Sequence, residues 1–142
     1  MAHKSLVSKM RLPDWQILFA KFLKENANSK FEWGVHDCCL FSANCVLAIT
    51  GTDYASSFRG TYSNERDAYR LIKQYGSIEA LVTTLTGIKP VNGRYADVGD
   101  IVLVLQEGRE LLAVCNGQTM FAPGANSLIT LETKDVLKTW KV

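Results

Sequence analysis

Along the first half of the chain, apolar positions recur at helical spacing. Trp15, Leu18, Phe19, Phe22 and Leu23 fall at i, i+3, i+4, i+7 and i+8 behind Pro13, a residue suited to a first helical turn. This spacing predicts an amphipathic helix over 13–25, followed by a turn from Asn26 to Lys30. From 38 to 49 nearly every residue is apolar or small, between Asp37, a good N-cap, and Gly51, a plausible stop. A buried helix is expected there. A third helix over 65–75 puts Ala68, Leu71, Ile72 and Tyr75 on one side and ends at Gly76, and Ser77 caps a short fourth that runs to 85 before Gly87. The second half reads differently. Apolar runs at 101–105, 111–115, 119–122 and 128–131 are short and separated by glycine, asparagine and charge, which is the pattern of hairpins. The expected class is α+β, helices first and an antiparallel sheet second. Residues 1–11 are polar and basic without periodicity and read as a flexible N-terminal arm, leaving one domain over 12–142.

Composition narrows the class. The 142 residues suit one core, and 47% hydrophobic with 21% charged residues excludes disordered, collagen-like and coiled-coil chains. Sixteen Lys and Arg against 14 Asp and Glu leave a formal charge of +2, and the basic residues are scattered from Lys4 to Lys141. Nucleic acid is therefore not an expected partner. Nor is a membrane, because no apolar run approaches the roughly 20 residues of a spanning helix. The opening MAHKSLVSKMRLPDW lacks the apolar stretch and small-residue cleavage site of a signal peptide, so synthesis and folding in a cytoplasm are expected. Three of the four cysteines, Cys38, Cys39 and Cys45, crowd into eight residues, with Cys115 far along the chain. Neighbours on one helix do not readily bridge, and free thiols are expected.

The candidate chemistry centres on Cys38. Behind an Asp37 cap its sulfur lies in the first helical turn, where unpaired N–H groups and the helix dipole favour a thiolate. Cys39 and Cys45 project elsewhere around the helix and read as small core residues. His36, two residues before the thiol, is the candidate base, with Asp37 or Asp100 to orient it; His3 lies in the arm. Asp100 reads more simply as part of a turn, Ala96-Asp97-Val98-Gly99-Asp100, that feeds a strand. No metal or other cofactor is expected: four thiolates are the required number for a metal, but no Cys-x-x-Cys pair exists and Cys38 and Cys39 diverge by about 100° on a helix. Gly117 to Gly124 lacks the Lys-Ser or Lys-Thr of a nucleotide loop. Trp15, Phe19, Phe22, Trp33, Phe41 and Trp140 are expected in the core. Tyr54, Phe58, Arg59 and Tyr62, in a polar glycine-bearing loop, are the expected contact surface.

The stretch Trp33-Gly34-x-x-Asp37-Cys38-x-x-Phe41 resembles the nucleophile region of NlpC-like, papain-type cell-wall peptidases. It is similar still more closely to a related family of small bacteriophage tail proteins of uncharacterised function. Asp14-Trp15, Gly51-x-Asp53, Arg59-Gly60-Thr61-Tyr62, Ala96-Asp97-Val98-Gly99-Asp100-Ile101-Val102, Gly117 and the closing Trp140 extend that resemblance in order over most of the chain. It implies a papain/NlpC-like fold, a place in the virion tail after synthesis in the bacterial host, and partners such as the tail hub, with peptidoglycan as a further contact. In the active peptidases a strand histidine after the Gly-Asp element serves the thiol. The matching stretch here is Leu111 to Gly117, with Leu111 nearest that histidine's position, and no histidine follows His36. A thiol without a base loses the pairing that amide hydrolysis depends on. The expected function is a tail-tip structural or assembly protein on a degenerate peptidase scaffold. The competing expectation is an active thiol peptidase or amidase that cuts peptidoglycan as DNA passes into the cell, using Cys38 and His36.

Overall fold

A computed structural model describes residues 10–142; the arm expected over 1–11 lies mostly, and His3 wholly, outside the described residues. Among the described residues four α-helices come first: α1 (Trp15–Asn26), α2 (Cys38–Thr50), α3 (Glu65–Tyr75) and α4 (Ile78–Thr86). The strands follow as β1 (Val91–Asn92), β2 (Ile101–Gln106), β3 (Arg109–Cys115), β4 (Thr119–Pro123), β5 (Leu128–Glu132) and β6 (Val136–Trp140). They form one antiparallel sheet in the order β1-β6-β2-β3-β4-β5. The protein is α+β.

The expected caps Asp37 and Ser77 are in place, and Asn64 adds a third. Side chains of Asp37, Asn64 and Ser77 accept from the backbone N–H three residues on, at the starts of α2, α3 and α4. Each satisfies one of the donors that a helix start leaves unpaired. Gly51 and Gly87 end α2 and α4 in the left-handed conformation.

Two strands escaped the hydrophobic pattern. β1 is only two residues long, and β6 is interrupted: its register against β2 slips between Leu103 and Val104, so Leu137 has no partner and stands exposed. A bulge of this kind breaks the alternation by which a strand is recognised. Trp140 still reaches the core, fully buried, with its indole N–H donating to Thr83 Oγ1 at 3.1 Å.

One face of the sheet carries the helices. Phe19 and Phe22 of α1, Phe41, Cys45 and Ile49 of α2, and Ile78 and Val82 of α4 pack on Ile101, Leu103, Leu112, Val114 and Trp140. The other face buries Val102, Val104, Ala113, Cys115, Met120, Ala122 and Leu131, all from strands. Ala96, Leu111, Ile129 and Val136 pack against that cluster from its margins. A third cluster joins Leu40 to Ala55, Phe58, Tyr62 and Ala68.

The folded body begins earlier than the pattern indicated. Arg11, placed in the arm, donates to the carbonyls of Val142 and Val98 at 2.7 and 2.8 Å and to Asp100 at 3.0 Å, and lies over the Trp15 ring. Those partners are more than 80 residues away in sequence, which local periodicity does not register.

The loop after α2 corrects another expectation. Phe58 and Tyr62 point inward, and Arg59 is engaged by both oxygens of Asp53 and by Asn44. This brace folds the loop onto the core, so Phe58 and Tyr62 do not form the contact surface the composition suggested.

The β2–β3 hairpin turns on Glu107 and Gly108, with φ of 51° and 77°. A two-residue turn with both φ positive favours Asn-Gly, and glutamate here carries a left-handed strain. Glu107→Asn is expected to raise stability by about 1 kcal/mol, read as a higher denaturant midpoint at unchanged slope.

Candidate functional site

The site begins in the turn before α2. Glu32 and His36 pair through their backbones, and the Phe31 N–H donates to the Gly124 carbonyl at 2.9 Å, tying the turn to the end of β4. Gly34 sits at φ +80°, and a Cβ built there would lie 2.1 Å from the Tyr62 carbonyl oxygen. Only glycine allows the two loops to approach this closely.

Asp37 joins the pieces. Its carboxylate accepts from the Leu40 N–H at 2.9 Å, the Gly34 N–H at 3.0 Å and the Tyr62 hydroxyl at 2.5 Å, while the residue is 2% exposed. Burial, and then the hydrogen bond to Asp37, push the Tyr62 hydroxyl well above its ordinary range. The phenol stays protonated and acts as a fixed donor.

Cys38 opens α2 at the floor of a cavity of about 290 Å³. The cavity exists because β3 and β4 pair only at Val114↔Phe121 and Cys115↔Met120; the start of β3 and the end of β4 draw apart, and Leu111, Ala122 and Pro123 line the gap. Trp33, Phe58, Leu71 and Ile78 make its interior apolar. Glu65, Tyr69 and Arg109 are exposed at its edge, where the Arg109 guanidinium donates to the Tyr69 hydroxyl at 2.6 Å and to Glu65 at 3.1 Å.

The Cys38 thiol is more acidic than ordinary. The chief cause is a hydrogen bond from the Cys39 thiol; backbone N–H groups of Leu112 and Cys39 act the same way, whereas burial and the Asp37 charge oppose them. Cys39 is pushed well above the usual range, first by that same bond and then by burial. Cys39 was expected to turn away from Cys38, but both are half-buried and both line the cavity. The divergence of neighbours on a helix concerns their Cβ directions, and it does not keep both side chains from lining one cavity.

His36 does not join this group. Its ring stands edge-on to Phe41 with centroids 5.6 Å apart, its Nε2 is buried without a partner, and it is not among the residues that line the cavity. Burial lowers its pKa, with the Asp37 charge opposing. Asp37 is taken up by Leu40, Gly34 and Tyr62, and Asp100 by Arg11, Lys141 and the Asp97 N–H, so neither carboxylate orients the imidazole. Asp100 accepts from the Asp97 N–H as the turn residue of its simpler reading, and its ion pairs with Arg11 and Lys141 are additional. From β3 the Leu112 N–H faces the Cys38 sulfur, while Leu111, packed against the cluster of the other face, shares the cavity lining with Cys38.

A histidine held neutral by burial makes folding favour the deprotonated ring. Stability is then complete above the ordinary value of 6.5 and declines as pH falls through it. Urea titrations from pH 8 to pH 5 should show this decline in the native chain and a smaller one in His36→Phe.

Cys45 and Cys115 are fully buried in the two separate faces of the sheet. Among the described residues no group of three His, Cys, Asp or Glu side chains is placed to hold a metal ion, and no helix is long and apolar enough to cross a membrane.

A family model described as a domain of unknown function, DUF6950, matches residues 10–142, and the chain belongs to that family. No curated protein and no solved structure matches it.

Proposed function

We propose that this chain is a structural or assembly component of a bacteriophage tail tip, built on a papain/NlpC-like scaffold whose thiol has no base. The observation that carries the reading is the neighbourhood of Cys38: from β3 it meets the Leu112 N–H and shares its cavity with Leu111, and His36 stands outside the cavity, against Phe41. Amide cleavage by a thiol needs a group that takes its proton and returns it to the leaving amine, and leucine does neither. A cysteine at a helix start, packed against an antiparallel sheet that parts beside it, supports the scaffold assignment. The tail location rests on the ordered sequence resemblance, and with it the virion as destination and other tail-tip proteins such as the hub as partners. A contact with the hub of standard size buries about 800 Å² on each side.

A second reading, an active thiol peptidase or amidase on peptidoglycan, draws on the acidity of Cys38 and the cavity above it. One experiment separates the two. Phage carrying Cys38→Ala should assemble and infect normally, and phage lacking the whole chain should give defective tails. Loss of infectivity from Cys38→Ala with intact particles, or a cell-wall lysis activity that this change abolishes, would overturn the structural reading.

A further inference from the structure

We infer that Cys38 and Cys39 form a proximal dithiol that captures an organic trivalent arsenical through the cavity. Of the four cysteines, Cys45 and Cys115 are sealed in packed clusters, whereas these two are half-buried and line one apolar cavity. The two are consecutive in the first turn of α2, and each shifts the other's ionisation, Cys38 made more acidic and Cys39 less.

The pair is protected from the reaction that usually consumes neighbouring thiols. Adjacent residues are 3.8 Å apart at Cα across a trans peptide, shorter than the span of about 4.4 Å or more that a disulfide accepts. A bridging atom removes that restriction by inserting a third centre between the sulfurs. Soft centres prefer thiolate ligands. With a monosubstituted arsenous acid, R–As(OH)2, the Cys38 sulfur forms one As–S bond and the Cys39 sulfur the second. Two As–O bonds break, and each hydroxide leaves with a thiol proton as water. Arsenic remains trivalent throughout. The organic group R then lies among Trp33, Phe58, Leu71 and Ile78, in a space of about 290 Å³ that suits a phenyl ring.

Phenylarsine oxide is the probe. The intact protein should take up one phenylarsenic bridge, and later alkylation should find Cys38 and Cys39 protected and Cys45 no more protected than before. Ethanedithiol should release the arsenic, and 2-mercaptoethanol at equal thiol concentration should release it about a hundredfold more slowly, as a two-point attachment requires. Cys39→Ser and, separately, Cys39→Ala should lose that resistance to the monothiol, and Cys45→Ser should keep it. Equal release by both reagents from the native chain, or unchanged resistance in a folded Cys39 variant, would overturn the inference.

Discussion

Asp37→Ala is expected to lower the free energy of unfolding by about 3–5 kcal/mol, the largest loss from any single change at the site. Three donors lose their acceptor at once: the Leu40 and Gly34 N–H groups and the Tyr62 hydroxyl. The missing helix cap contributes about 1 kcal/mol, and each buried donor left unpaired costs about 1–3 kcal/mol, with partial relief from relaxation. Asp37→Asn keeps an acceptor and should lose less. Because the Asp37 charge opposes ionisation of Cys38, Asn should also shift thiol alkylation to lower pH. Denaturant unfolding measures the first effect; a loss under about 1 kcal/mol for Ala, the size of a cap alone, would show that the carboxylate does not hold these loops together.

Gly34→Ala is expected to cost about 2–5 kcal/mol. A left-handed backbone conformation costs a residue with a Cβ about 1–2 kcal/mol. The remainder arises because the new carbon would meet the Tyr62 carbonyl oxygen at 2.1 Å, a contact with backbone that no side-chain rotation relieves. To escape it the turn must withdraw from the 58–63 loop, which also lengthens the Tyr62–Asp37 hydrogen bond. Gly51→Ala is the control: it shares the positive φ but has nothing within 4 Å of its Cβ, so it should lose only the conformational share. Equal losses at the two positions would remove the close approach from the explanation.

Much of this arrangement was legible in the sequence because local chemistry encodes it. Asp37, Ser77 and Gly51 sit where caps and stops belong, and the helices they bound were expected within two residues of their observed ends. What was not legible depends on partners distant along the chain. Arg11 finds Asp100 and the chain's last carbonyl only once the sheet is assembled. Tyr62 reads as an exposed loop aromatic until its hydroxyl is seen to reach Asp37, 25 residues earlier; the Arg-Gly-x-Tyr element was the one signal that marked it. The bulge at Leu137 hid β6, and the shared cavity of Cys38 and Cys39 leaves no mark in residue spacing. The histidine question turned on a single register position. The resemblance places Leu111 where a base would stand, and Leu111 does line the cavity with Cys38, while the alternation of faces turns Leu112 into the helix-side cluster.

Whether any imidazole serves Cys38 is tested most directly by the rate of Cys38 alkylation by iodoacetamide as a function of pH, mapped by mass spectrometry in the native chain and in His36→Phe. The expected result is a rise with a midpoint below the ordinary thiol value of about 8.5, with the two proteins giving superimposable curves. A profile that moves, or loses an inflection in the histidine range, when His36 is replaced would contradict a thiol that ionises without a base.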